Sequence, residues 1–153
     1  MHTAYSATFQ GAGLWIGGPY GTDNWDDQNY AQRGIDLANG FAADGVIDDP
    51  SNLSGNPVWI FSGANDPLAQ PVNQVAQKEY YENFGATVSL VVYPTEHKVP
   101  TIFATSDEYL NTGYDTVGVM LEYLLTNLQT NPISSLNAAD ANYNDNGVLR
   151  RFS

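Results

Sequence analysis

The sequence of 153 residues contains no cysteine and only five basic residues. Without cysteine there can be no disulfide framework, no zinc site with thiolate ligands and no cysteine nucleophile. The five Lys and Arg residues stand against 17 Asp and Glu, which gives a formal charge of −12 and an isoelectric point near 4.1. Because such a polyanion lacks the positive charge that neutralises phosphate groups, neither nucleic acid nor an anionic membrane surface is an expected partner.

Long hydrophobic runs are also absent. The segment Val88–Tyr93 is among the longest apolar stretches, and a helix needs roughly 18 or more apolar residues to cross a membrane. The first ten residues have neither a basic region nor an apolar core, so they predict no signal peptide. We therefore expect no membrane partner, and these residues leave the cellular compartment open.

The composition that remains is that of a folded protein. Hydrophobic residues make up 42% of the chain and charged residues 14%, which is too apolar for a disordered polypeptide. This length corresponds to one domain, which can bury roughly 70% of its unfolded surface. The hydrophobic pattern fails beyond Asn131. We therefore expect residues 1–130 to form the domain and residues 131–153 to form an irregular tail of it.

Short apolar runs alternate with segments of helical periodicity. The predicted strands cover about residues 11–17, 57–61 and 88–93, and the predicted helices about residues 26–43, 72–84 and 115–128. The run Pro57–Phe61 is apolar throughout, as is typical of a parallel strand that is covered on both faces. The alternation predicts an α/β fold: an incomplete sheet of about three parallel strands with flanking helices.

The apolar residues of the last two predicted helices indicate which faces are buried. In the second helix they are Val72, Val75, Ala76 and Tyr80, and in the third they are Val117, Met120, Leu121, Leu124, Leu125 and Leu128. Each set falls on one stripe of a helix, and we expect each stripe to pack on the sheet.

Two titratable residues directly follow predicted strands. Asp66 comes after the second strand and His97 after the third. Ligands of open parallel sheets bind at the carboxyl ends of the strands, so we expect both side chains at one edge. An aspartate that accepts the imidazole N–H holds the ring in one tautomer and supports proton transfer. Acid before histidine is also the chain order of α/β-hydrolase triads. The alternative is that Asp66 is a turn residue and His97 a solvated loop residue.

No nucleophile accompanies this pair in the sequence. The Gly-x-Ser-x-Gly elbow of α/β-hydrolases is absent. Ser62 follows a strand but lacks the glycine two positions before it, and Ser6 precedes a strand. We therefore predict that neither serine is the nucleophile.

Several other residues are candidates for contact with substrate or for a structural role. Trp25 and Tyr20, in the segment after the first strand, are candidates for contact with substrate, whereas Trp15 and Trp59 alternate within strands and favour the core. His2, near the start of the chain, is expected to be structural or disordered. Residues 140–147 imitate a calcium loop, but its sixth position is Asp145 where glycine is needed. We predict no metal and no cofactor.

Several segments in sequence order resemble polyhydroxybutyrate depolymerase-like α/β-hydrolases. The stretch His2–Tyr20 resembles the end of the nucleophile helix, the next strand and a Gly-Gly-Pro-Tyr loop of that family. The stretch Pro57–Asp66 resembles the strand that delivers the acid, and residues 80–101 resemble the segment that carries the histidine. The resemblance implies the C-terminal half of a serine carboxylesterase, in which Asp66 is the acid and His97 the base. It also implies that the serine and the oxyanion hole lie upstream of residue 1.

The resemblance implies hydrolysis of hydroxyalkanoate esters, with a polyester or a small ester as the substrate of an extracellular parent protein. The fragment alone is expected to be inactive. Feruloyl or acetylxylan esterases fit the same residues, and a non-catalytic acidic binding or structural module derived from a hydrolase half-fold is a further alternative. The first strand would lack its inner neighbour, so we expect self-association through an exposed strand edge.

Overall fold

The computed structural model describes residues 1–22, 29–102 and 112–127. Its elements are β1 Ala12–Trp15, α1 Tyr30–Ala43, β2 Pro57–Gly63, α2 Pro71–Asn83, β3 Thr87–Tyr93 and α3 Thr116–Asn127. A short 3₁₀ helix, Pro50–Leu53, precedes β2. All six predicted elements occur in the predicted order, with ends that differ by a few residues. The predicted tail and the calcium-like segment 140–147 lie outside the described residues.

The three strands form one parallel sheet in the order β1-β2-β3. Trp15 of β1 lies opposite Phe61 of β2, and Gly63 of β2 lies opposite Tyr93 of β3. The central strand β2 is buried along its whole length, as its continuous apolar run predicted. Because the strands are parallel, the segments that follow all three meet at one edge of the sheet, which we call the carboxyl edge. The predicted class, an α/β fold with about three parallel strands and flanking helices, is confirmed.

Helices cover both faces of the sheet. On one face, Val58 and Ile60 of β2 belong to a buried cluster with residues of α1 and α2, namely Ile35, Ala38, Tyr80 and Tyr81. Successive side chains of a strand point to opposite faces, so Trp59 and Phe61 face the other side. There α3 packs closely on the sheet, since a Cβ atom on Gly13 would collide with the Met120 side chain. No helix in the described part of the chain has the length and hydropathy to cross a membrane.

The predicted apolar stripe of α2 is wrong in part. Val72 and Val75 are 61% and 42% exposed. The buried residues of α2 are instead mostly polar: Asn73, Gln74, Gln77, Tyr80 and Tyr81. Hydrophobic periodicity cannot detect such a face, because its amides are buried for hydrogen bonding to backbone and not for their hydropathy.

The predicted stripe of α3 is buried only on one side. Met120 packs against Gly13, and a Leu124 methyl group lies 3.6 Å from the position of a Cβ atom on Gly11. In contrast, Val117, Leu121 and Leu125 are 47%, 46% and 41% exposed. The apolar stripe of α3 is wider than the part of the helix that contacts β1 and β2, so its second row faces away from the sheet.

Candidate active site

The structure brings Asp66 and His97 together at the carboxyl edge. The Nδ1 atom of His97 lies 3.0 Å from Oδ2 and 3.1 Å from Oδ1 of Asp66. The Asp66 side chain is 1% exposed, whereas that of His97 is 39% exposed. A carboxylate only accepts hydrogen bonds, so Nδ1 carries the proton and donates it. In the neutral ring this leaves Nε2 with a lone pair, which makes it the proton acceptor of the site.

A tight turn fixes the Asp66 carboxylate. Its Oδ1 accepts hydrogen bonds from the backbone N–H groups of Leu68 and Ala69, each at 2.8 Å. The backbone N–H of Asp66 donates to the carbonyl of Gly63 at 3.2 Å. Hydrogen bonds to an ionised carboxylate are stronger than neutral ones, and a buried carboxylate needs them to offset its lost hydration. The carboxylate is therefore held in the orientation that meets His97.

Backbone hydrogen bonds join the segments after β2 and β3. Ala64 N–H donates to the Tyr93 carbonyl at 2.7 Å, and Asn65 N–H donates to the Thr95 carbonyl at 3.0 Å. Gly63 permits this approach, because a Cβ atom there would lie 2.5 Å from the Glu96 carbonyl oxygen and 2.7 Å from that of Thr95. Sequence reasoning missed Gly63. The available signal was a glycine at the end of a buried strand, which often marks a close backbone approach.

The segment after β1 is held by side chains of α2. Gln74 Nε2 donates to the Gly17 carbonyl and Gln77 Nε2 to the Gly18 carbonyl, each at 3.0 Å. Ile16, where the segment leaves β1, has a φ of 53°, in the left-handed region that β-branched residues rarely adopt. Neither glutamine was predicted as a site residue.

The two serines considered in the sequence both lie in the interior. Ser62 is 2% exposed and its hydroxyl donates to Gln74 Oε1 at 3.4 Å. Ser6 is 3% exposed and its hydroxyl donates to the carbonyl of Asp49 at 2.9 Å. Both hydroxyls are therefore engaged in interior hydrogen bonds.

The remaining candidates fall in other places. Tyr20 is half-buried, with its ring 6.2 Å from that of Phe41 in an edge-on contact. It borders a cleft of about 400 Å³ beside β1, which His2 and Gln77 also line. Trp25 lies outside the described residues, so its contact with substrate stays a prediction, as does that of Tyr20. Trp59 is buried, and Trp15 is half-buried against it.

The second histidine has a different environment from His97. His2 is 7% exposed and stacks on Tyr81 with ring centroids 5.6 Å apart. Burial lowers the pKa of His2 from 6.5 to about 4. The backbone of Phe9 raises this pKa, but by less than burial lowers it. The ring is therefore neutral at pH 7. Within residues 1–22, 29–102 and 112–127, no group of three or more His, Asp or Glu side chains is arranged to hold a metal ion.

Comparisons with known proteins point to one group. No family model matches the chain. It is 30% identical over 149 residues to a poly(3-hydroxybutyrate) depolymerase of Delftia acidovorans, a match that covers 81% of this chain and 30% of the relative. The resemblance predicted from the sequence is confirmed.

Two solved structures share the fold with TM-scores of 0.65 and 24% identity. One is the PHB depolymerase from Penicillium funiculosum, with 88% of this chain and 46% of that chain covered. The other is a serine-to-alanine variant of PHB depolymerase complexed with an R3HB trimer, with 79% and 45% covered. The chain thus has part of the α/β fold of these enzymes and spans less than half the length of each relative.

Proposed function

We propose that this chain, which is similar in sequence to a PHB depolymerase and has part of the fold of two others, carries the acid and the base of a serine hydrolase that cleaves hydroxyalkanoate esters. One observation carries the proposal: Nδ1 of the part-exposed His97 lies 3.0 Å from the buried carboxylate of Asp66 at the carboxyl edge of a parallel sheet. This is the arrangement that a general base needs when a carboxylate orients it.

Each group has a defined role in the proposed reaction. His97 Nε2 takes the proton of a serine hydroxyl while the serine oxygen attacks the ester carbonyl. The resulting imidazolium is stabilised by Asp66 and then protonates the departing alcohol. Water cleaves the acyl-enzyme by the same route, with His97 again as the base. The serine is regenerated and the hydroxy acid is released.

We place the nucleophilic serine and the oxyanion donors in polypeptide outside these 153 residues. Two observations support this placement. The hydroxyls of Ser6 and Ser62 are engaged in the interior, and the chain covers only 45% and 46% of the two solved depolymerases. In a serine protease, loss of the nucleophile alone lowers kcat on the order of 10⁶-fold. We therefore expect the isolated chain to hydrolyse p-nitrophenyl butyrate no faster than buffer. Turnover that is abolished by His97→Ala would contradict this placement.

A chimera provides the positive test. Residues 1–153 would replace the aligned stretch of the Delftia acidovorans enzyme, which supplies the remaining polypeptide. We expect esterase activity that Asp66→Asn lowers by roughly 10⁴-fold, as such a substitution does in a serine protease triad. The matched control is Asp36→Asn, because Asp36 is an exposed carboxylate of α1 that accepts a hydrogen bond from the exposed Gln32. An active chimera in which both variants have equal activity would overturn the assignment.

The substrate class rests on the relatives. One solved PHB depolymerase variant is complexed with an R3HB trimer, and we propose the same ester chemistry for this chain. In the chimera, the trimer is expected to be hydrolysed more efficiently than feruloyl or acetyl esters. Preference for either of those esters would favour the alternative esterase assignments. A folded but inactive chimera would favour a non-catalytic module.

A further inference from the structure

The buried polar face of α2 includes two glutamines, Gln74 and Gln77, whose side-chain amides donate to the segment after β1. Gln74 is 1% exposed and Gln77 is 5% exposed. The amide of Gln74 is bonded at both ends: Nε2 donates to the Gly17 carbonyl at 3.0 Å, and Oε1 accepts from Ser62 at 3.4 Å. Gln74 therefore connects the end of β2 to the segment that follows β1.

The segment Gly17–Tyr20 fits closely against both helices. A Cβ atom on Gly17 would lie 3.0 Å from Gln77 Nε2. A Cβ atom on Gly34 of α1 would lie 2.5 Å from the Cβ of Pro19. The preceding residue, Ile16, has a φ of 53°, and a strained backbone conformation of this kind costs roughly 1–3 kcal/mol and persists only where its surroundings enforce it. The two amides and the close packing supply that enforcement.

The carbonyls of Gly17 and Gly18 explain why this face of α2 is polar. An inward-facing carbonyl without a partner costs roughly 1–3 kcal/mol, and an apolar side chain at residue 74 or 77 would leave one such group unpaired. The same helix begins at Pro71, two residues after the turn in which Ala69 N–H binds the Asp66 carboxylate. One rigid element thus positions both the Asp66 turn and the segment after β1.

We propose that Gln74 and Gln77 are positioning residues, whose amides fix Gly17–Tyr20 as a preformed wall of the substrate site at the carboxyl edge, the edge that also carries Asp66 and His97. This inference rests on the proposed function, because a cleft wall matters only where substrate binds. A fixed wall lowers the conformational cost of binding, since no segment has to become ordered when the ester enters.

The first test measures the segment itself in the chain of residues 1–153. Gln74→Met keeps the length of the side chain and removes its amide, and Gln32→Met is the control, because Gln32 is an exposed glutamine of α1. We expect backbone NMR order parameters of Gly17, Gly18 and Tyr20 to fall from about 0.85 to below about 0.6 in the Gln74 variant only. The same drop throughout β2, or no drop at all, would overturn the proposal. If Gln74→Met does not fold, Gln77→Met tests the second amide in the same way.

The second test measures substrate binding in the active chimera. Gln74→Met is expected to raise KM for the R3HB trimer about tenfold and to change kcat less than threefold, because the chemical groups stay in place. A mobile segment with unchanged KM would overturn the role as a cleft wall. An inactive chimera would count against the proposed function alone. The order parameters are measured in the chain of residues 1–153, so they test the role of the two amides without any activity.

Discussion

Asp66 and His97 are 31 positions apart in sequence. Their contact depends on Gly63, because only a residue without a side chain lets the segment after β3 approach the end of β2 so closely. Their proximity could be predicted because each follows a strand of one parallel sheet. The role of Gly63 could not, since the approach of the Glu96 carbonyl to its Cα exists only after β2 and β3 have paired in register. The orientation of Asp66 was likewise not predictable, because it depends on the backbone N–H groups of Leu68 and Ala69.

Gly63→Ala should destabilise the protein and disturb the candidate site together. Its new methyl group would meet the Thr95 and Glu96 carbonyl oxygens at 2.7 and 2.5 Å, and both are backbone atoms that cannot move aside alone. We expect a loss of about 1–3 kcal/mol in the free energy of unfolding, measured by urea denaturation.

The control for that substitution is Gly40→Ala in α1, where a Cβ atom would meet nothing within 4 Å. Alanine in a helix interior is favoured over glycine by up to about 1 kcal/mol, so this variant should be as stable as the original chain or more stable. Equal stability of Gly63→Ala and the original chain would contradict the proposed close approach.

At the level of elements, periodicity located all three helices but described their faces incompletely. In α2 the apolar stripe predicted the wrong face, because Val72 and Val75 are exposed. The inward positions are occupied by glutamines whose amides donate to backbone carbonyls. In α3 the Leu121 side chain belongs to a row, with Val117 and Leu125, that is 41–47% exposed. A hydropathy pattern reports how much apolar surface a helix has, whereas the neighbouring elements determine which part of it is covered.

The first residue of α3 connects that helix to the segment that carries His97. Thr116 is fully buried and its hydroxyl donates to the Pro100 carbonyl at 2.6 Å. Thr116→Val keeps the shape of the side chain and leaves this carbonyl without its donor, so we expect a loss of about 1–3 kcal/mol. The exposed Thr126 of α3 is the matched position, and Thr126→Val should change the free energy of unfolding by less than about 0.5 kcal/mol. Equal effects of the two substitutions in urea denaturation would show that the hydrogen bond does not anchor α3.

At the scale of the whole molecule, the parallel sheet was predictable from the alternation of strands and helices, whereas its order, β1-β2-β3, places β1 at an edge of the described sheet. Parallel strands need crossover helices, and the sequence has one helix between each pair of strands. Whether another strand pairs with the outer side of β1 was not predictable, because unpaired backbone N–H and C=O groups of a strand have no signature in residue type. The charge of −12 opposes association of two copies.

The edge and the charge together predict association that depends on salt. Salt shortens the distance over which the like charges repel from about 30 Å at 0.01 M to about 3 Å at 1 M. The outer edge of β1 in the described sheet can then pair with a second copy. Sedimentation equilibrium should give a mass near 16.7 kDa at low salt and a larger mass at 1 M NaCl.

Ala12→Lys in β1 should weaken this association, because lysine on an edge strand disfavours pairing. Ala43→Lys, at the end of α1, makes the same change in net charge away from the edge and is the control. A monomer at every salt concentration would contradict the prediction, as would equal effects of the two lysines.

The tautomer of His97 tests the central claim most directly, because the claim is that Asp66 holds the ring with Nδ1 protonated and Nε2 ready to accept a proton. Two-bond ¹H–¹⁵N NMR spectra of the neutral imidazole distinguish the two nitrogens in the isolated chain, without any need for activity. The predicted result is a proton on Nδ1 in the original chain and a shift toward the Nε2–H tautomer in Asp66→Asn. An Nε2–H tautomer that is present from the start and unaffected by Asp66→Asn would contradict the account.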